Sequence, residues 1–282
     1  MGDWARYWRA ADRPLEAMHA HFEQHVYHRH SHETYSFGVT ETGVQSFTCR
    51  GAAHTSSAGM VMAFNPDEPH DGQAADALGF TYRMVHIGPD LVRDVLADRA
   101  EREVGLPLFA EPVVADTRLA GAVAGLHAAL VGPATALARD ERLAAAVAAI
   151  TRHGRSARPP RRTAAAGIAR RVRDRLEEGY AEDVTAGDLA AAAGTSRFAV
   201  YRAFRQVYGL SPSDYQRQVR LRRARQLIGA GSGIAEAAAA SGFADQSHLT
   251  RWFTRCYGVT PGAYRHALHP STVREPSSRT RP

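Results

Sequence analysis

The chain has 282 residues and 44% hydrophobic content, enough for two domains with buried cores. It has no run of the roughly 18 to 20 uncharged apolar residues that would span a bilayer, and Met1-Gly2-Asp3-Trp4-Ala5-Arg6 lacks the layout of a secretory leader. A cytoplasmic protein without a membrane partner is therefore expected, and the two scattered cysteines, Cys49 and Cys256, exclude a disulfide framework and a zinc knuckle.

In chain order, Tyr35 to Thr40, Val44 to Cys49, Met60 to Phe64 and Phe80 to Ile87 are short apolar or alternating runs that predict strands. Turns are expected between them at Glu41-Thr42-Gly43, Arg50-Gly51 and Asn65-Pro66-Asp67-Glu68-Pro69. Strands at this spacing predict a small barrel or sandwich. After Gly88-Pro89 the apolar period turns helical, with further helices near Arg118 to Val131 and Arg139 to Thr151 whose apolar faces serve a core or a dimer seam.

Residues 1–150 hold 12 arginines against 19 acidic residues, 151–163 hold five arginines and no acid, and 164–282 hold 18 arginines against ten acids. The stretch 151–165, with Pro159-Pro160 and charge of one sign, is expected to be an exposed linker. A basic helical domain over 166–268 follows, and the Pro/Ser/Thr/Arg tail at 269–282 is expected to be disordered. An acidic front half joined to a basic back half fits a sensing domain attached to one that meets a polyanion.

The basic domain contains a repeat. Val200-Tyr201-Arg202-Ala203-Phe204 with Tyr208-Gly209-Leu210-Ser211-Pro212 and Tyr215 returns 49 residues later as Leu249-Thr250-Arg251-Trp252-Phe253 with Tyr257-Gly258-Val259-Thr260-Pro261 and Tyr264. Thr185-Ala186-Gly187-Asp188 has the form of a capping box opening a helix through Ala193, and Gly194-Thr195-Ser196 supplies a tight turn with Ser196 as the next N-cap. On the following helix, Arg197 to Tyr208, the residues Val200, Ala203, Phe204 and Val207 share a packing face. Phe198, Tyr201, Arg202 and Arg205 are free to enter a groove.

The second unit repeats the plan. Ile234 to Ala240 supports, Ser241 to Asp245 turns, and Gln246 to Tyr257 reads with Ser247, Thr250, Arg251 and Thr254 outward and Leu249, Trp252, Phe253 and Cys256 inward. Between the units, Ser211-Pro212-Ser213-Asp214 starts a spacer helix through Leu227 that carries Arg217, Arg220, Arg222, Arg223 and Arg225. Two readers held about 34 Å apart would meet successive major grooves.

Over residues 166–268 the chain resembles the AraC/XylS family of bacterial transcription regulators. The specific match is Ile234-Ala235, Ser241-Gly242-Phe243, Gln246-Ser247, Leu249, Arg251, Phe253, Gly258, Thr260-Pro261 and Tyr264-Arg265. The resemblance implies DNA contact from Arg202 with Phe198 and Tyr201, and from Gln246, Ser247 and Arg251. Ser196, Arg205 and Thr250 join the candidate DNA-binding set from their places on the readers. Tyr201 departs from the smaller polar residue more usual there.

Nine of the 14 histidines precede residue 90. His30-Ser31-His32, His70 after the Pro-rich loop, and glycines such as Gly43 and Gly59 resemble the cupin barrel that AraC-type regulators carry as a ligand-binding domain. His30, His32, Tyr35 and His70 are the expected ligand-binding residues. An enzymatic cupin adds a glutamate four or five residues after the second histidine, where Ser36 and Phe37 stand. No catalytic residue, cofactor or resident metal is therefore expected.

The combined expectation is a multidomain protein with an N-terminal cupin-like β-barrel and following helices over 1–150 and an all-α C-terminal domain with two helix-turn-helix units. Its expected function is that of a ligand-responsive, sequence-specific transcriptional activator. Its expected partners are promoter DNA, a small-molecule effector, RNA polymerase and a second copy of the chain. The competing reading is a metal-dependent cupin enzyme with an accessory nucleic-acid-binding domain. A base-repair protein with a related double reader would need a cysteine cluster that is absent here.

Overall fold

The computed structural model describes residues 2–10, 12–100, 105–156 and 163–268. The expected tail at 269–282 and residues 157–162 of the expected linker lie outside them.

Nine strands among the described residues form one curled sheet: β1 (Trp4–Arg9), β2 (Leu15–Phe22), β3 (Tyr27–His30), β4 (Tyr35–Cys49), β5 (Ala52–Ser57), β6 (Val61–Phe64), β7 (His70–Ala74), β8 (Phe80–Ile87) and β10 (Val113–Val114). Its path runs β1-β2-β8-β4-β6-β10, and β3, β5 and β7 cover the far side through β4 and β7. The strand β4 belongs to both layers, because its first half pairs with β6 and β8 and its second half with β5 and β7.

This corrects the expected turn at Glu41-Thr42-Gly43. The chain does not reverse there; an irregularity in register between Thr40 and Thr42 bends one continuous strand. Gly43 stands at φ +73°, and a Cβ there would lie 2.0 Å from the Gly79 carbonyl oxygen. The turn-like composition thus serves a bend and a close backbone approach.

Alternation along the strands separates two cores. Tyr35, Phe37, Val39, Val61, Ala63, Val85 and Ile87 face helices α1 (Pro89–Ala100), α2 (Thr117–Val131) and α3 (Ala136–Thr151), meeting Leu119, Val123, Leu126, Leu143, Val147 and Ile150. The apolar faces of α2 and α3, left open between core and dimer seam, are therefore core. Met18, Phe22, Phe47, Met62, Phe64, Tyr82 and Met84 point the other way, into the barrel.

The described residues of the expected linker carry regular structure. Gly154–Ser156 forms β11, which pairs antiparallel with β9 (Pro107–Phe109), and α4 (Ala164–Glu178) begins inside it, capped by the Thr163 side chain.

The basic domain continues with α5 (Ala186–Ala193), α6 (Arg197–Tyr208), α7 (Pro212–Gly229), α8 (Ile234–Ala240), α9 (Gln246–Tyr257) and α10 (Pro261–Leu268). The Thr185/Asp188 capping box is formed, and Gly194 closes α5 in the left-handed region. Ser196 caps α6 through the Ala199 N–H, and Asp245 caps α9 through the His248 N–H.

The two units differ in their cores. Val200 and Phe204 of α6 join Val172, Leu176 and Leu189 in a cluster of their own. Leu249, Phe253, Cys256 and Tyr257 of α9 belong instead to the cluster that fills the barrel.

Candidate effector pocket and DNA-reading helices

The barrel brings His30, His32 and His70 together, as the sequence suggests. Residues His30 and His70 are register partners across β3 and β7, and ring centroids lie 4.8 Å apart for His30 and His32 and 4.6 Å for His30 and His70. Phe64 stacks face to face on His70 at 3.8 Å. A fourth imidazole, His86 of β8, lies 4.7 Å from His32 and bonds the Ser36 hydroxyl through Nδ1 at 2.8 Å. Its signal was the alternation Tyr82-Met84-His86, which puts all three side chains on the barrel side.

Burial holds these rings neutral at physiological pH. It pushes His30 and His32 well below the ordinary histidine range, His70 down to about 4 and His86 down to about 3, with further depression from neighbouring imidazoles and arginines. The pocket they share encloses about 40 Å³, and its wall includes Tyr27, Phe47, Met84, Cys256 and Tyr257.

Tyr35 does not join them. The pleat sends its side chain to the helix side of β4, where the hydroxyl donates to the Pro107 carbonyl at 2.8 Å and the ring sits in the outer core. This corrects the expectation that Tyr35 is a ligand-binding residue: the period of two assigns Tyr35, Phe37 and Val39 to the face opposite Ser36.

On the readers, Ser196, Arg202, Arg205, Gln246, Ser247 and Arg251 are exposed, and Thr250 is half-buried. Phe198 is 87% exposed and Tyr201 44%, so the apolar members of the set are also presented to solvent. Val207, expected to pack, is 43% exposed; with Arg205 it lines the cleft between α6 and the barrel. The last turn of α6 runs past its core before Gly209 ends it, and Leu210 packs in its place. Trp252 is only half-buried, held by the Arg217 guanidinium 3.8 Å above its ring and edge-on to His28 of the barrel at 5.1 Å.

Residues 14–147 match the AraC-like ligand binding domain, and residues 189–267 match a helix-turn-helix domain. The chain belongs to the AraC family of transcriptional regulators.

Among its relatives, YbfI of Bacillus subtilis, an uncharacterized HTH-type transcriptional regulator, is 27% identical over 230 residues, 78% of this chain and 80% of that protein. The HTH-type transcriptional activator RhaR of Yersinia pseudotuberculosis is 42% identical over 71 residues, 25% of this chain and 24% of that protein. The crystal structure of ToxT from Vibrio cholerae shares the fold, with a TM-score of 0.56 at 10% identity over 95% of this chain and 98% of that one. No helix among the described residues is long and apolar enough to cross a membrane.

In this AraC-type regulator several arginines of the spacer helix have protein partners. Arg222 bonds Asp67 at 2.6 Å and the Ser31 hydroxyl at 3.0 Å, and Arg225 pairs with Glu16 at 3.3 Å. Arg220 donates to the carbonyls of Tyr180 and Glu182. The Tyr7 hydroxyl donates to the Tyr257 carbonyl at 3.2 Å, and its ring meets Tyr264 edge-on. The second unit is thus seated on the barrel through α7, α9 and α10, with Gln246, Ser247 and Arg251 on the outward side.

Proposed function

We propose that this regulator is a dimeric, cytoplasmic activator whose histidine-lined pocket takes a small effector and whose two reading helices bind promoter DNA beside RNA polymerase. The observation that carries the reading is the wall of the pocket: Cys256 and Tyr257 belong to the second reading helix and border the same cavity as His30, His32 and His70. Occupancy of that cavity therefore acts directly on the seat of α9.

Arg202 and Arg251, with Gln246 and Ser247, supply donors and acceptors for base edges. Ser196, Phe198, Tyr201, Arg205 and Thr250 complete the contact surface with phosphate and apolar contacts.

Selection of bound duplexes from a random pool, with the full chain at two salt concentrations, tests this. Enrichment of a motif in two parts about one helical turn apart is the expected result. Failure to enrich any motif, with and without metabolite extracts, would overturn it.

A further inference from the structure

The pocket has a chemical character that the regulator reading does not specify. A carbonyl oxygen accepts only, so the ring nitrogens that face carbonyls must carry protons. His30 Nδ1 lies 2.7 Å from the His28 carbonyl, and His70 Nδ1 lies 2.9 Å from the Glu68 carbonyl. In an imidazole whose Nδ1 carries the proton, Nε2 is the acceptor, and each ring turns that nitrogen away from its carbonyl. Backbone carbonyls that fix imidazole tautomers in this way are the usual outer support of a histidine metal ligand.

The ring nitrogens converge. His30 Nε2 and His32 Nε2 stand 3.2 Å apart, close to the roughly 3.3 Å that separates two nitrogens bound tetrahedrally to one ion at about 2.0 Å. One ring nitrogen from each of His30, His32 and His70 lies within 4.8 Å of the others, and His30 and His70 are buried. The rigid stack of Phe64 on His70 holds one ring in place. No carboxylate belongs to the group, and a set of neutral imidazoles selects first-row transition ions over magnesium and calcium. The cavity of about 40 Å³ leaves room beside an ion for a water or a small anion.

We propose that His30, His32 and His70 bind a single divalent transition-metal ion of the zinc, cobalt or nickel kind, inside the pocket bordered by Cys256 and Tyr257. The proposal rests on the reading of the barrel as the effector domain and names the chemical class of what it holds. The metal serves there as effector or as the anchor of one.

The test uses the full chain, stripped with a chelator and dialysed separately against zinc, cobalt(II) and magnesium. Wild type should retain about one equivalent of zinc or cobalt, and cobalt should develop the visible bands of nitrogen coordination. His70→Gln and His30→Gln should bind roughly 100-fold or more weakly. His19→Gln and His21→Gln, on the outer face where His19 pairs with Glu41 and His21 with Glu23, should bind as wild type does.

Should the buried substitutions unfold the chain, wild type still decides, because zinc must raise its unfolding midpoint while magnesium does not. Retention no greater in wild type than in folded His70→Gln, or absence of the zinc-specific shift, overturns the proposal. A stripped chain that selects DNA but takes no metal keeps the regulator and loses the metal site. A chain that takes one ion and selects no DNA in either state keeps the metal site and loses the regulator.

Discussion

Arg251 and Arg202 are exposed at equivalent positions of the two reading helices, which are capped alike at both ends. If each makes a bidentate contact to a base, Arg251→Ala and Arg202→Ala should each cost about 1 to 3 kcal/mol on the selected motif and relax preference at one position. Binding measured across a panel of single-base operator variants checks this. Uniform loss on every sequence would reassign the residue to a phosphate.

His127 offers a prediction about stability. Its imidazole is pushed down to about 4, first by burial and then by Arg83 and His19, which Glu41 bridges on the same face. Its Nε2 lies 3.1 Å from the Met18 carbonyl, with the Trp8 ring beside it. The unfolded chain takes up this proton near pH 6.5 and the folded chain only near 4. Stability from the neutral ring is therefore complete above about pH 6.5 and is lost as pH falls toward 4, by about 3 kcal/mol at most. Urea unfolding at pH 7 and pH 5 should show a shallower pH dependence for His127→Gln than for wild type, and parallel slopes would exclude the assignment.

What was legible at this scale followed from local pattern. The reader arginines were marked by a repeat, and His30, His32 and His70 by strand spacing and a loop. His86 carries no loop or paired-histidine signal, only the alternation of β8, and Tyr35 is assigned to the outer core by the pleat of β4.

Among the elements, the two left-handed glycines that end the readers make a matched pair. Gly209 and Gly258 have φ of +67° and +73°, so alanine strains either by about 1 kcal/mol. Their surroundings differ. A Cβ at Gly209 would come no closer than 3.5 Å to any atom, whereas at Gly258 it would meet Tyr27 Oη at 2.6 Å and Phe22 Cζ at 2.8 Å. Gly209→Ala should therefore cost about 1 kcal/mol, and Gly258→Ala some 1 to 3 kcal/mol more as the barrel gives way. Thermal unfolding of both variants checks this, and equal costs would show that the seat of α9 is soft.

Helix ends and caps were readable because short side chains and glycines set them locally. The sequence did not show that Glu41-Thr42-Gly43 bends a strand. A bulge and a turn share a composition, and only pairing with β6, β8, β5 and β7 separates them. The strand β5, Ala52–Ser57, has little apolar alternation and is fixed by pairing with β4 alone.

For the molecule as a whole, the buried pair Arg225 and Glu16 ties the spacer helix to the barrel, with side chains 13% and 8% exposed. Removing Glu16 strands the buried Arg225 charge, so Glu16→Ala should destabilise by about 3 to 5 kcal/mol and Arg225→Ala by less, because Arg9 still lies 3.7 Å from Glu16, while a double replacement by apolar residues of similar size should be close to neutral. A double-mutant cycle measures the coupling, and additive losses would mean that the charges do not act on each other. Periodicity carries no signal for a contact 209 residues apart in the chain, so the domains were readable and their docking was not.

The second reader shares its core with the barrel while the first has a core of its own, and α7 joins them, giving Tyr215 to the one cluster and Leu221, Ala224 and Ile228 to the other. A shift of the barrel core that moved α9 against α6 would alter the rotational phase between the readers more than the chemistry of either. On B-form DNA one added base pair turns a half-site by about 34°, so the effector would re-rank operators by the length between half-sites.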